Sequence, residues 1–143
     1  MALELPEVAV IARQMKETLV GKQITSCTAG TTLHKFAWYN HPMDAYPALL
    51  CGSTIQDARG RGNYLIASLS SDQALVTGDL GGRIQFFPPG TQAPPKHQLL
   101  LGFEDGSILA VIVVMWGSIQ VVRQVEIMNL PYILKRKIAP FET

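Results

Sequence analysis

Near the start of the chain, apolar positions recur at the spacing of an amphipathic helix. Over residues 6–20 the apolar side chains fall on one side, and most of the charged side chains fall on the other. Pro6 suits a first helical turn because its missing N–H would have no partner there, and Gly21 is a natural stop. The pattern therefore predicts a helix over residues 6–20.

From residue 22 onward the pattern changes to short alternating or β-branched stretches separated by turn residues, which is typical of antiparallel sheets. Two of the turns are Gly81-Gly82 and Asp105-Gly106, and the second is a strong hairpin signal. The predicted strands cover residues 23–30, 54–60, 64–70, 74–79, 83–87, 97–103, 108–115 and 118–123. We predict a mainly β, α+β domain: a two-layer antiparallel β-sandwich of about eight strands with an N-terminal helix and a second short helix.

The second helix is predicted between the first two strands, in a segment rich in aromatic residues. Residues 43–50 have helical spacing, and Gly52 would end the helix. The neighbouring Phe36, Trp38 and Tyr39 could form a stacking platform for exposed bases. A mixed aromatic run beside a helix is more often a corner of the core, so we expect core packing here.

Length, charge and cysteine content limit the kinds of protein this chain can be. With 143 residues, the chain fits one domain, predicted over residues 1–128, and residues 129–143 read as a tail or a truncated interdomain linker. The acidic N-terminus and the short apolar runs argue against a signal peptide or membrane span, and indicate a cytoplasmic protein. Cys27 and Cys51 lack zinc-site spacing and are expected to be buried thiols. The net charge of only +1 predicts weak DNA affinity for the chain alone.

Several short motifs, in order along the chain, resemble segments of one DNA-repair family. Glu-Leu-Pro-Glu-Val stands at residues 4–8, and Arg-Gly-Arg-Gly-Asn-Tyr-Leu at residues 59–65 forms a basic turn entering a strand. Asp-Leu-Gly-Gly follows at residues 79–82, and Lys-His at residues 96–97 leads into a further strand. The sequence thus resembles, over nearly its whole length, the N-terminal domain of the formamidopyrimidine-DNA glycosylase and endonuclease VIII family.

The resemblance implies amine chemistry at the N-terminus. In the family, the α-amine of the residue before the first motif glutamate, normally proline, attacks the sugar C1′ of a damaged nucleotide, and the Schiff base permits base excision and strand cleavage. An α-amine suits this step because its pKa of ~8 leaves more of it unprotonated than a lysine at ~10.4. Carried over, Glu4 is the proton-transferring carboxylate and Glu7 a supporting group; Leu3 stands in the proline position, and Ala2 offers the amine if Met1 is removed. Without the family, both glutamates are ordinary acids at a helix N-terminus.

The resemblance also implies contacts with DNA. Asn63 replaces a phosphate-binding lysine of the family, and Gly82 replaces a methionine that fills the gap left by the extruded nucleotide. Asparagine adds no counterion release, and glycine cannot wedge into a base stack. The candidate DNA-binding residues are Arg59, Arg61, Asn63, Arg83, Lys96 and His97.

Two functions follow from these motifs and departures. The first is a glycosylase-like domain of DNA base-excision repair, with damaged double-stranded DNA as its partner and little or no activity by itself. The second is a non-catalytic DNA- or protein-binding module that has lost the N-terminal nucleophile, in which a homodimer could bury an apolar face. No cofactor is expected, because the zinc finger of the family has no counterpart in the 143 residues.

Overall fold

The computed structural model describes residues 5–29, 37–93 and 96–125. Within them, the elements follow in the order α1 (Leu5–Leu19), β1 (Ile24–Ala29), β2 (Ala37–Tyr39), a 3-10 turn (Met43–Ala45), α2 (Tyr46–Leu50), β3 (Ile55–Arg61), β4 (Tyr64–Leu69), β5 (Gln73–Phe87), β6 (Leu99–Phe103) and β7 (Ile108–Arg123). No helix among these residues is long and apolar enough to cross a membrane.

The strands form one sheet that folds back on itself into two layers. Its order is β1-β6-β7-β5-β4-β3, and the short β2 pairs with β7. The long strands β5 and β7 run through both halves: β4 pairs with the first part of β5, and β6 pairs with the first part of β7. The two ends of the sheet meet where Gln23 bridges Thr54 in antiparallel fashion. The predicted sandwich is therefore confirmed, although β2 lies parallel to β7 rather than antiparallel.

The strands differ in number from the predicted eight, because seven strands are found in the described residues. The predicted strands 74–79 and 83–87 are one strand, β5, and the predicted strands 108–115 and 118–123 are one strand, β7. Gly81-Gly82 was expected to be a turn, but both glycines stay within β5, where the pairing with β7 is irregular. The three-residue β2 was not predicted, since its alternation is too short to detect.

Helix α1 lies on the sheet through the apolar stripe that its periodicity predicted. Val8, Ala12, Met15 and Leu19 are all buried, and α1 packs mainly against β3. Each fully buried large apolar side chain contributes about 1.5–3 kcal/mol relative to an exposed one. Gly21 ends the helix with φ of 93°, in the left-handed region that glycine adopts without strain. The predicted first helix is thus confirmed.

Helix α2 fixes the aromatic corner of the core. Tyr46 is fully buried, and its hydroxyl donates a hydrogen bond to the carbonyl of Ile119 at 2.6 Å. Its ring meets that of Tyr39 edge to face, with 5.5 Å between centroids, and burial raises the pKa of both phenols to about 12. The second helix and the core packing of Tyr39 are confirmed. Trp38 was expected in the core but is 39% exposed, and Phe36 lies outside the described residues.

The two cysteines have different environments. Both are free thiols; Cys27 is half-buried in β1, whereas Cys51 follows α2 and is exposed. The prediction of two buried thiols is therefore wrong for Cys51, which directly follows the buried last residue of α2, Leu50, and is exposed.

Candidate nucleic-acid interface

The β3–β4 hairpin, residues 59–64, carries the clearest basic feature of the described surface. Gly62 turns the chain with φ of 60°, and Arg61 pairs with Tyr64 across the hairpin. Arg59 and Arg61 are both exposed, and their spacing of two residues places them on the same face of β3. The hairpin therefore presents two guanidinium groups side by side, an arrangement suited to phosphate oxygens.

The start of α1 lies against this hairpin because Gly60 has no side chain. A Cβ at Gly60 would stand 2.7 Å from Cγ1 of Val8 and 3.7 Å from Cβ of Ala12. Glu7, the residue before Val8, is exposed in the first turn of α1. The structure thus places the N-terminal end of α1 at the same end of the fold as Arg59 and Arg61.

Arg59 belongs to a small surface network of charges. Asp57 lies 3.9 Å from the Arg59 guanidinium and 3.3 Å from the Lys16 ammonium. The three side chains are 47%, 36% and 64% exposed for Arg59, Asp57 and Lys16, so water screens these pairs and each is worth little. A phosphate could replace Asp57 as the partner of Arg59 at small cost.

Two aromatic residues, Tyr64 and Trp38, lie at the two ends of one row of paired residues across the sheet. Tyr64 pairs with Gly78, Gly78 with Ser118, and Ser118 with Trp38 on β2. A Cβ at Gly78 would lie 2.3 Å from two ring carbons of Tyr64, so the ring lies directly over this glycine. Tyr64 belongs to this surface, although it was not among the predicted DNA-binding residues. The signal was its place directly opposite Arg61, which becomes visible only once the hairpin register is known.

Arg83 and Lys96 form a second basic region, on either side of β7. Arg83 is exposed on β5 and pairs with Ile112. Lys96 is exposed two residues before Gln98, whose side-chain oxygen accepts a hydrogen bond from the N–H of Val113 at 2.6 Å. Arg83 lies five residues beyond the pairing partner of Tyr64, which is about 16 Å along the strand at ~3.3 Å per residue. The structure therefore separates Arg83 from the hairpin.

His97 does not belong to the basic surface. Its side chain is only 6% exposed, because the chain already runs beside β7 at this point and Gln98 donates its N–H to the carbonyl of Val111 at 2.9 Å. His97 was predicted to bind DNA; the structure shows that its side chain is buried, and its contact with DNA stays a prediction.

Of the predicted catalytic residues, only Glu7 lies in the described part of the chain. Ala2, Leu3 and Glu4 lie outside the described residues, as does the predicted domain boundary at residues 128 and 129. Glu7 is described, and is exposed at the start of α1. Over the described part of the chain, no three His, Cys, Asp or Glu side chains converge as a metal site would require.

Comparison with known proteins identifies the family of this chain. The family model of the formamidopyrimidine-DNA glycosylase N-terminal domain matches residues 2–126. Formamidopyrimidine-DNA glycosylase of Lactococcus lactis subsp. cremoris is 28% identical over 141 residues, which cover 98% of this chain and 50% of the relative. The same enzyme of Protochlamydia amoebophila is 32% identical over 112 residues, covering 74% of this chain and 38% of the relative.

Solved structures give the same result. The crystal structure of Lactococcus lactis Fpg in complex with DNA containing an abasic site has a TM-score of 0.76 and 26% identity, and the match covers 94% of this chain and 49% of that one. A complex of the Lactococcus lactis protein with DNA containing FAPY-dG has a TM-score of 0.74 at 28% identity. The chain spans half or less of the length of these relatives. With its helix, its closed sheet and its motifs in the family order, the chain belongs to the formamidopyrimidine-DNA glycosylase family, in which it corresponds to the N-terminal domain.

Proposed function

We propose that this chain supplies the N-terminal part of a base-excision repair glycosylase and contacts damaged double-stranded DNA through the β3–β4 hairpin. One observation carries the proposal: the beginning of α1 packs against Gly60, between the two exposed arginines of the hairpin. The motif that supplies the amine and carboxylate in the family therefore leads into a helix that starts beside a phosphate-binding surface. A cytoplasmic location, expected from the sequence, belongs to the same proposal.

The basic residues would bind the DNA backbone at two places, and Glu4 would take part in the chemical step. Arg59 and Arg61 would hold backbone phosphates, which positions the DNA without reading its sequence. Arg83, which lies about 16 Å along β5 from the partner of Tyr64 at ~3.3 Å per residue, and Lys96 would hold a second stretch of backbone. With the nucleotide held, the N-terminal amine attacks C1′ and the bond from C1′ to the base breaks. Glu4 would then transfer the proton that the departing base requires.

The non-catalytic module stays as a second candidate, and the site of Gly82 favours it. A Cβ at this position would lie 1.9 Å from the carbonyl oxygen of Ile112, so β5 cannot carry here the side chain that the family inserts into the base stack. Leu3 in the proline position and Asn63 in the lysine position point the same way. In this case the hairpin still binds DNA, or the domain pairs with a second copy, which analytical ultracentrifugation would detect.

The experiment that separates the two candidates is borohydride trapping on DNA that carries an abasic site. A covalent adduct that disappears when the N-terminal amine is blocked, and weakens in Glu4→Gln, supports the glycosylase. No adduct from a folded protein, as judged by circular dichroism, contradicts the enzymatic function.

The DNA surface is tested separately by fluorescence anisotropy over a range of salt concentrations. Arg59→Ala and Arg61→Ala should each weaken binding to all sequences, and each should reduce the salt slope by about 1, since one phosphate contact is lost. Arg123→Ala is the matched control: it removes an exposed arginine that pairs with Gln73, at the other end of the first half of β5. If all three variants bind alike, the hairpin is not the DNA-binding surface.

A further inference from the structure

One half of the sheet, made of β3, β4, the first part of β5 and the last part of β7, is apolar on both faces. The side chains of one face belong to the main core. Those of the opposite face, which we call the outer face, form a separate cluster of Ile66, Ala74, Val76 and Val122. Ile66 pairs with Val76 and Ala74 with Val122, so the cluster spans β4, β5 and β7. A sheet face that points away from the core usually carries polar side chains, so an apolar outer face requires a cover.

The outer face is buried. Ile66, Ala74 and Val76 have no exposed surface, and Gln120, which pairs with Val76, is 1% exposed. Both described helices pack on the other side of the sheet, because their buried side chains belong to the main core. The structure contains a single chain, so the cover is a segment of this chain.

The last described part of the chain ends close to this face. Strand β7 ends one residue after Val122, and Val125 is the last residue that the structure describes. Gln124 fixes the exit of the chain, because its N–H donates a hydrogen bond to the carbonyl of Asp72 at 2.9 Å. Residues 126–143 therefore leave the described fold beside the outer face.

The other ranges outside the described residues join the fold elsewhere. Residues 30–36 lead into β2, which begins opposite Gly117, and Gly117 lies about 16 Å along β7 from Val122 at ~3.3 Å per residue. Residues 1–4 lead into α1, which lies on the core side of the sheet. Residues 94–95 lead toward β6, which pairs with the first part of β7. The C-terminal segment is thus the one placed to reach the cluster.

The sequence of the C-terminal segment fits an apolar face. Six of the nine residues 126–134 are large and apolar or aromatic: Ile127, Met128, Leu130, Tyr132, Ile133 and Leu134. Residues 135–137 are all basic, so the apolar stretch has a clear end. Nine extended residues span about 30 Å, whereas the cluster measures only about 10 Å across its three strands. The stretch is therefore long enough to turn back and cross the cluster.

Gln120 adds a polar requirement to the same face. Its side-chain Nε2 is buried and has no hydrogen-bond partner in the described structure. A buried N–H group without a partner destabilises a fold, and such groups are rare in native proteins. A segment that crosses the outer face presents one backbone carbonyl per residue, and such a carbonyl is an acceptor that this amide can use.

We propose that the outer face is a docking surface for residues 126–134 of the same chain, which cover the apolar cluster and bring a carbonyl oxygen to Gln120. The stretch then belongs to the folded domain and contributes to its stability. The proposal does not depend on the DNA-binding function, since it rests on the burial of the sheet. A second copy of the chain is the alternative occupant, and the test distinguishes the two.

The test is limited digestion of the full chain with chymotrypsin. Tyr132 lies within the docked stretch and Phe141 lies beyond it, so the two cleavage sites are compared in one molecule. A synthetic peptide of residues 124–143 gives the cleavage rates of both sites without the sheet. Relative to that peptide, cleavage after Tyr132 should be about tenfold slower or more in the folded chain, and cleavage after Phe141 should be nearly unchanged. The proposal is overturned if the chain and the peptide show the same ratio of rates.

Matched variants of the full chain identify the contact. Ile127→Asp combined with Leu130→Asp places two charges in the docked stretch, so cleavage after Tyr132 should rise about tenfold and the dye anilinonaphthalene sulfonate should bind more strongly. Ile138→Asp, beyond the basic residues, is the control and should change neither result. Peptides with the same substitutions correct for changes in the intrinsic cleavage rate. The proposal fails if the double variant stays protected, or if the protection of Tyr132 is lost on dilution as a dimer dissociates in analytical ultracentrifugation.

Discussion

Replacement of Gly82 by alanine should destabilise the protein by about 2–3 kcal/mol, because β5 and β7 approach too closely there for any side chain. The added Cβ would lie 1.9 Å from the carbonyl oxygen of Ile112 and 3.0 Å from Cα of Val113. Ordinary carbon–oxygen contacts are about 3.3 Å, so the shortfall is about 1.4 Å. Both opposing atoms belong to the backbone, so no change of rotamer can relieve the contact.

The magnitude follows from two opposing effects. Overpacking of a well-packed core costs typically about 1–3 kcal/mol and occasionally more, and a clash with backbone atoms belongs at or slightly above the top of that range. Alanine also restricts the unfolded chain, which returns about 0.4–1 kcal/mol. For a chain of this size, a net loss of about 2–3 kcal/mol lowers Tm by roughly 10 °C.

Urea denaturation followed by circular dichroism measures the effect. Gly62→Ala is the matched control, since Gly62 has φ of 60° and open space around its Cα. The Gly62→Ala variant should lose only about 1–2 kcal/mol, the cost of holding alanine in the left-handed conformation. If Gly82→Ala loses no more stability than Gly62→Ala, β7 does not lie where the structure places it. The same contact predicts that Gly82→Met, which copies the methionine of the family, disturbs the fold and does not improve DNA binding.

Three further changes test other parts of the structure. Gly60→Ala should destabilise the protein, and Val8→Ala in the same chain should recover part of the loss, because the clash is with a side chain at 2.7 Å; strictly additive losses in a double-mutant cycle would refute this. Tyr46→Phe should cost about 1–2 kcal/mol in urea denaturation, because the buried carbonyl of Ile119 loses its donor, and an unchanged midpoint would contradict that bond. Hydrogen bonds from the Lys22 ammonium, and then from the hydroxyl and N–H of Ser107, hold the pKa of Asp105 well below its usual range. Its stabilising effect should therefore be complete above the unfolded pKa of ~3.9 and should fade as the pH falls further, so the stability difference between the natural chain and Asp105→Asn should shrink in acid.

Local patterns were enough for the helices, most of the strands and the family. The apolar stripe of α1 and the glycine that ends it are encoded within a few residues, and so is the Asp105-Gly106 turn, where Gly106 has φ of 89°. The family motifs are likewise short and read directly from the chain. These features depend on neighbours in sequence, which is why periodicity and turn chemistry predict them.

Only the tertiary structure determines the roles of Gly60 and of the Gly81-Gly82 pair. Gly81-Gly82 reads locally as a turn, yet the partner strand β7 holds it extended, and Gly60 reads as part of a turn, yet it is the point where α1 touches the sheet. The burial of His97 and the place of Tyr64 opposite Arg61 also depend on partners distant in sequence. Side-chain periodicity records which face of an element is apolar, but it does not record which element covers that face or how closely. Those distances are set by the packing of the whole sheet.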